Sequence, residues 1–91
     1  MVDAFTTTVS GLVQGVGFRF FVKNAAISLN VTGWVRNLPD GTVEILANGS
    51  RDNLERFMHY IKTGSVGSRV DKAEFQWFRT EKALKTFEIR G

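Results

Sequence analysis

Cysteine is absent from the 91-residue chain, so disulfides, thiolate metal ligands and thiol nucleophiles are excluded and the fold must hold by packing. Histidine occurs once, as His59. A lone imidazole cannot build a His-based metal site, and no serine has a visible base to activate it. His59 sits between Met58 and Tyr60 in a helical stretch, where a surface position is expected. The acidic residues show no metal-ligand spacing; Asp40 and Glu44 flank a turn and a strand and read as solvated. No apolar run is long enough to span a bilayer and no signal-peptide pattern opens the chain, which fits a cytoplasmic location and no membrane partner. Blocks of Lys and Arg are missing too. The 12 basic and nine acidic residues are interspersed, and a net charge of +3 supplies no nucleic-acid arm. Such a mild positive field steers small anions at most.

What is present is the balance of an ordinary globular protein, 43% hydrophobic and 23% charged, and residues 1–91 read as one domain. Met1 to Ala4 reads as a frayed lead-in. Phe5 to Val13, rich in Thr and Val, is the first strand. A helix follows from about Arg19 to Asn30, with Phe18, Val22, Ala25, Ala26 and Leu29 at helical spacing. Phe20 and Phe21 cannot both join that stripe, so one is expected under a loop. Val31 to Asn37 and Thr42 to Asn48 alternate as two strands around the turn Leu38-Pro39-Asp40-Gly41, in which Pro fixes φ and Gly accepts a positive one. Ser50 is placed to cap a second helix, with Asp52 in its first turn, a buried stripe of Leu54, Phe57, Met58 and Ile61, and Gly64 at its end. A Gly/Ser-rich loop over 65–68, a strand from Val70 to Thr80 and a short last strand with Phe87 and Ile89 inward complete the chain.

This order predicts an α+β, ferredoxin-like split βαβ sandwich: an antiparallel sheet of four to five strands with two helices on one face. A helix separates the first two strands, so they must point the same way. Their C-terminal ends then lie on one edge, which gathers the glycine loop, Arg19 and Asn37.

The stretch Gly11-Leu12-Val13-Gln14-Gly15-Val16-Gly17-Phe18-Arg19 is the strand-to-helix junction. Two glycines there let the backbone approach a ligand, and the helix start offers free N–H groups to an anion. Arg19 adds a planar, permanently charged fork that matches two oxygens. The spacing is neither that of a P-loop nor that of a dinucleotide fingerprint. Residue types alone leave two readings open, an oxyanion cradle or a plain tight turn with a solvated arginine. An oxyanion cradle, one arginine and a neutral amide suffice for few reactions. Phosphoryl transfer needs mainly positioning and charge stabilisation. An acyl phosphate also needs no acid for its leaving group, because that group is a stable carboxylate.

The nonapeptide resembles the first signature of the acylphosphatase family, GxVQGVxFR, with Leu12 in a variable slot. Gly33-Trp34-Val35-Arg36-Asn37-Leu38-Pro39-Asp40-Gly41-Thr42-Val43, with Gly49 after it, resembles the second. The resemblance implies hydrolysis of small acyl phosphates to a carboxylate and inorganic phosphate, with no metal or cofactor. It implies that Arg19 binds the phosphoryl group together with the backbone N–H groups of Gln14, Gly15, Val16, Gly17 and Phe18. Asn37 would orient the attacking water, and Gln14 would act through its backbone rather than its side chain. Phosphate would be both product and competitive inhibitor, and a monomer is expected.

Two alternatives share the fold. RNA-binding split βαβ domains stack bases on aromatics of the central strands. Here the first strand offers Thr7, Thr8 and Val9 after Phe5, and the third has no aromatic. The other alternative is a carbamoyl-phosphate-handling module of a larger machine, like the N-terminal part of a hydrogenase-maturation carbamoyltransferase. The short chain argues against it, and fusion to or stable binding by a partner would revive it.

Overall fold

The computed structural model describes residues 1–91. Its elements are β1 (Val2–Leu12), α1 (Phe18–Ser28), β2 (Thr32–Asn37), β3 (Val43–Gly49), α2 (Arg51–Thr63), β4 (Arg69–Thr80) and β5 (Phe87–Arg90). The five strands form one sheet in the order β4-β1-β3-β2-β5. Helix α1 packs on β2 and β5, and α2 on β4, β1 and β3. This is the expected α+β, ferredoxin-like arrangement.

Alternation of apolar residues explains the single buried face. Phe5, Thr7 and Val9 of β1, Val43, Ile45 and Ala47 of β3, and Val35 of β2 are buried, while Thr8 and Arg36 face outward. Phe18, Val22, Ala25 and Ala26 from α1 and Leu54, Phe57 and Ile61 from α2 close the core over them. Phe5 is its centre, with ring centroids 6.1 Å from Phe57, 5.1 Å from Phe75 and 5.3 Å from Trp77. As expected, Ser50 caps α2 by accepting from the Asn53 N–H at 3.2 Å, and Gly64 ends it at φ 77°. Neither helix is long and apolar enough to cross a membrane.

The structure departs from the sequence expectations at three places. The sheet is mixed: β1 pairs antiparallel with β3 and β4, and β2 with β3, but β5 pairs parallel with β2. Strand β4 runs against β1 and therefore against β2, and the chain reverses once more before β5. Once laid on the free edge of β2, β5 can only run with it. Residues 81–86 cross the sheet end to get there, tied where the Leu84 N–H donates to Asn48 Oδ1 at 3.2 Å. Val2 to Ala4 are strand rather than frayed lead-in, because β3 and β4 are both long enough to pair with them; Asp3 faces Gly49 and Arg79, and Ala4 is buried. Phe21 packs not under a loop but between Phe18 at 6.4 Å and Tyr60 of α2 at 6.3 Å, leaving Phe20 exposed.

Candidate active site

Topology brings three strand ends together. Val43 faces Val9 of β1 on one side and Asn37 of β2 on the other, so β1 and β2 finish at the same end of the sheet, as expected. Parallel pairing carries β5 there as well, with Arg90 opposite Arg36. The β1–α1 junction and the β2–β3 hairpin therefore rise side by side.

Within the junction, Gly15 and Gly17 adopt φ of 74° and 77°, a region L side chains rarely enter, and an added Cβ would meet open space at either. Gly17 is also the N-cap of α1. No side chain caps this helix and no acidic residue occupies its first turn. Helix α2 differs on both counts, with Ser50 as cap and Asp52 in place. The first N–H groups of α1 therefore keep their partial positive charge without an internal partner. They open beside a cavity of about 250 Å³, lined by Gly15, Gly17, Phe18 and Arg19 together with the apolar Val13, Phe20 and Ile89.

Arg19 is half-buried and makes no ion pair; its one side-chain hydrogen-bond contact is a 3.5 Å approach of a guanidinium N–H to the Arg90 carbonyl. That length is at the limit of a hydrogen bond. Other arginines, such as Arg36 and Arg69, are neutralised by Glu44 and Asp71. Asn37 does not line the cavity. It stands on the adjacent strand end, and its Oδ1 is buried with no hydrogen-bond donor. A buried carbonyl oxygen left so is uncommon and calls for a partner.

Gln14 and Val16 do not line the cavity either. Val16 packs partly against the core. The Gln14 side chain reaches across to the hairpin, where its amide donates to the Leu38 carbonyl at 2.9 Å and the Thr42 carbonyl at 2.8 Å. This side-chain role was not foreseen. In the same turn, Asp40 accepts from the Thr42 hydroxyl at 2.6 Å and the Thr42 N–H at 3.0 Å. These bonds, the hydroxyl first, hold its carboxyl below the ordinary aspartate value of 3.8.

Sequence reasoning also missed the apolar wall. Phe20 left one signal, its exclusion from the buried stripe of α1, whereas Ile89 reaches the cavity only through the parallel pairing of β5. His59 is exposed on α2, in a separate surface concavity beside Glu55 and Tyr60. No three His, Cys, Asp or Glu side chains converge anywhere in the chain. Larger concavities on the open sheet face and along α2 do not contain the glycine junction, and the one along α2 is lined by Asp52, the acidic residue in that helix's capped first turn.

A family model described as Acylphosphatase matches residues 5–89. The chain is 49% identical over 83 residues to an acylphosphatase of Koribacter versatilis, spanning 91% of this chain and 76% of that protein. It superposes on the crystal structure of acylphosphatase from Bacillus subtilis with a TM-score of 0.95 at 38% identity, covering 98% of this chain and 99% of that one. It is also similar to HypF of T. kodakarensis (TM-score 0.85, 31% identity), where the match spans 97% of this chain and 12% of the other.

Proposed function

The chain belongs to the acylphosphatase family, and from that premise we propose that it hydrolyses small acyl phosphates using the uncapped helix start, Arg19 and Asn37. In this reading the phosphoryl oxygens sit against the backbone N–H groups of Gln14 to Phe18, and Arg19 adds its fork. The observation that carries it is the contrast between the two helices: α1 leaves its N-terminus unfilled beside an arginine that no carboxylate neutralises. A phosphoryl group satisfies both.

The loose transition state of phosphoryl transfer spreads charge over the equatorial oxygens, where preorganised donors act most strongly. A carboxylate leaves without protonation. Asn37 Oδ1, buried and without a donor, accepts one O–H of the attacking water and aims its lone pair in line. The water's second proton passes to a phosphoryl oxygen of the substrate. No side-chain base is required, and no metal enters a step. Inorganic phosphate, which presents the same oxygens, competes with substrate.

The test is hydrolysis of an aromatic acyl phosphate, followed by ultraviolet loss in the presence of a chelator. A charge-assisted hydrogen bond of the Arg19 kind contributes ~1.5–3 kcal/mol. Arg19→Gln is expected to lower kcat by roughly 10²–10³, the scale of losing one oxyanion donor, and Asn37→Ala to lower it while phosphate still inhibits. Phosphate inhibition without turnover in the unmodified chain would instead mark an anion-binding module, and a chelator-sensitive rate would overturn the metal-free route.

A further inference from the structure

The Gln14 side chain gives the glycine junction and the β2–β3 hairpin their only side-chain hydrogen bonds to each other, and the turn that it grips does not need it. The Leu38 N–H already donates to the Thr42 carbonyl at 2.9 Å, and the Gly41 N–H to the Leu38 carbonyl at 3.2 Å. Asp40 and Thr42 close the same turn from within. Both carbonyls that Gln14 reaches thus have a backbone donor of their own, and its amide fills their second lone pairs at 2.9 and 2.8 Å. These bonds join segments 24 and 28 residues apart. One segment is the glycine junction and the other begins directly after Asn37.

We propose that Gln14 is a positioning residue, which sets the distance between the phosphate cradle and Asn37 and so aims the water at phosphorus. This rests on the roles of the cradle and of Asn37 given above. The chemistry at position 14 is specific. Two carbonyls side by side need one group with two N–H donors and no charge to be neutralised, which a primary amide is. Asparagine is a methylene too short to reach both. Glutamate turns acceptors toward acceptors. Because the cradle is backbone, losing the Gln14 side chain leaves phosphate contacts in place and lets the hairpin drift. A drift of about 1 Å at a reacting atom costs up to ~10² in rate.

The experiment compares Gln14→Met, Asn37→Ala and the double variant, reading kcat and the phosphate inhibition constant for each. Gln14→Met is expected to lower kcat by about 10- to 100-fold with the phosphate constant within roughly twofold. The double variant is expected to be no slower than Asn37→Ala alone, since a residue acting through Asn37 has nothing left to position. Gln14→Asn supplies the same readings should the methionine variant not fold. Unchanged kcat in the Gln14 variants overturns the inference, as does a phosphate constant that worsens in step with kcat. So does a double variant showing the full sum of the two losses. If Asn37→Ala collapses while Gln14→Met does not, this inference alone fails; if Asn37→Ala keeps its rate, the water-orienting role fails and takes this one with it.

Discussion

At the scale of single residues, glycine serves two opposite needs in this chain. Gly33, at φ 142°, lies against β3 so closely that a Cβ would fall on the Leu46 carbonyl oxygen. Gly17, at φ 77°, has nothing within 4 Å of a Cβ and is needed for its backbone conformation alone. The two alanine variants should therefore separate. Gly17→Ala pays only the left-handed penalty of ~1–2 kcal/mol, while the tilt of the junction lowers turnover. Gly33→Ala adds a backbone clash to strain of ~1–3 kcal/mol and loses stability first. Urea unfolding alongside turnover distinguishes them; equal losses of stability would contradict the contact geometry. Arg19 belongs to the same scale, since it has no carboxylate partner and, under the proposed function, its charge is left to the phosphoryl group.

Elements convert such local choices into placement. The β2–β3 hairpin carries Asn37 at the end of β2, directly before its turn, and Asp40 fastens that turn through Thr42. Because the folded carboxyl lies below 3.8, its contribution to stability is fully present above that pH. The contribution is lost as pH falls through the lower folded value. A carboxyl-carbon NMR titration should find the Asp40 midpoint under 3.8, and Thr42→Val should move it upward by removing the larger of the two hydrogen bonds. A midpoint at or above 3.8 in the unmodified chain would sink the assignment. Asp71 and Glu74 on β4 shift the same way, through Arg69 and Lys72, but on an exposed edge strand where they touch no part of the site. Helix α1 shows the complementary choice: α2 is capped for stability, and α1 is left open at the one end that faces the cavity.

The whole molecule depends on one core. Phe5 sits on β1, an interior strand between β4 and β3, and touches aromatic rings from α2 and β4. Phe5→Ala should cost ~3–5 kcal/mol, a large part of the ~5–15 kcal/mol that holds a domain folded. A chemical denaturation midpoint measures this, and a loss below ~1 kcal/mol would mean that the ring is not the keystone its contacts describe. The same core aligns the ends of β1, β2 and β5, so the site depends on packing far from it.

Much of this was legible from residues alone, wherever the deciding interactions span a few positions. Apolar spacing marked both helices, Pro39 to Gly41 marked the turn, Ser50 and Gly64 marked the ends of α2, and Gly15 and Gly17 marked an exposed backbone junction. Strand–helix–strand order sufficed to place Asn37 at the same end of the sheet as the glycine junction, because a strand that follows a crossover helix returns in the same direction. Only the tertiary structure decided the rest: the strand character of Val2 to Ala4, the parallel course of β5, the arrival of Ile89 at the cavity, the pairing of Phe21 with Tyr60, and the two carbonyls that Gln14 holds. Each joins parts of the chain well separated in sequence, as the 24-residue reach of Gln14 to Leu38 illustrates. Local conformational preference carries no record of such a partner, which exists only after the sheet and its two helices have closed on a common core.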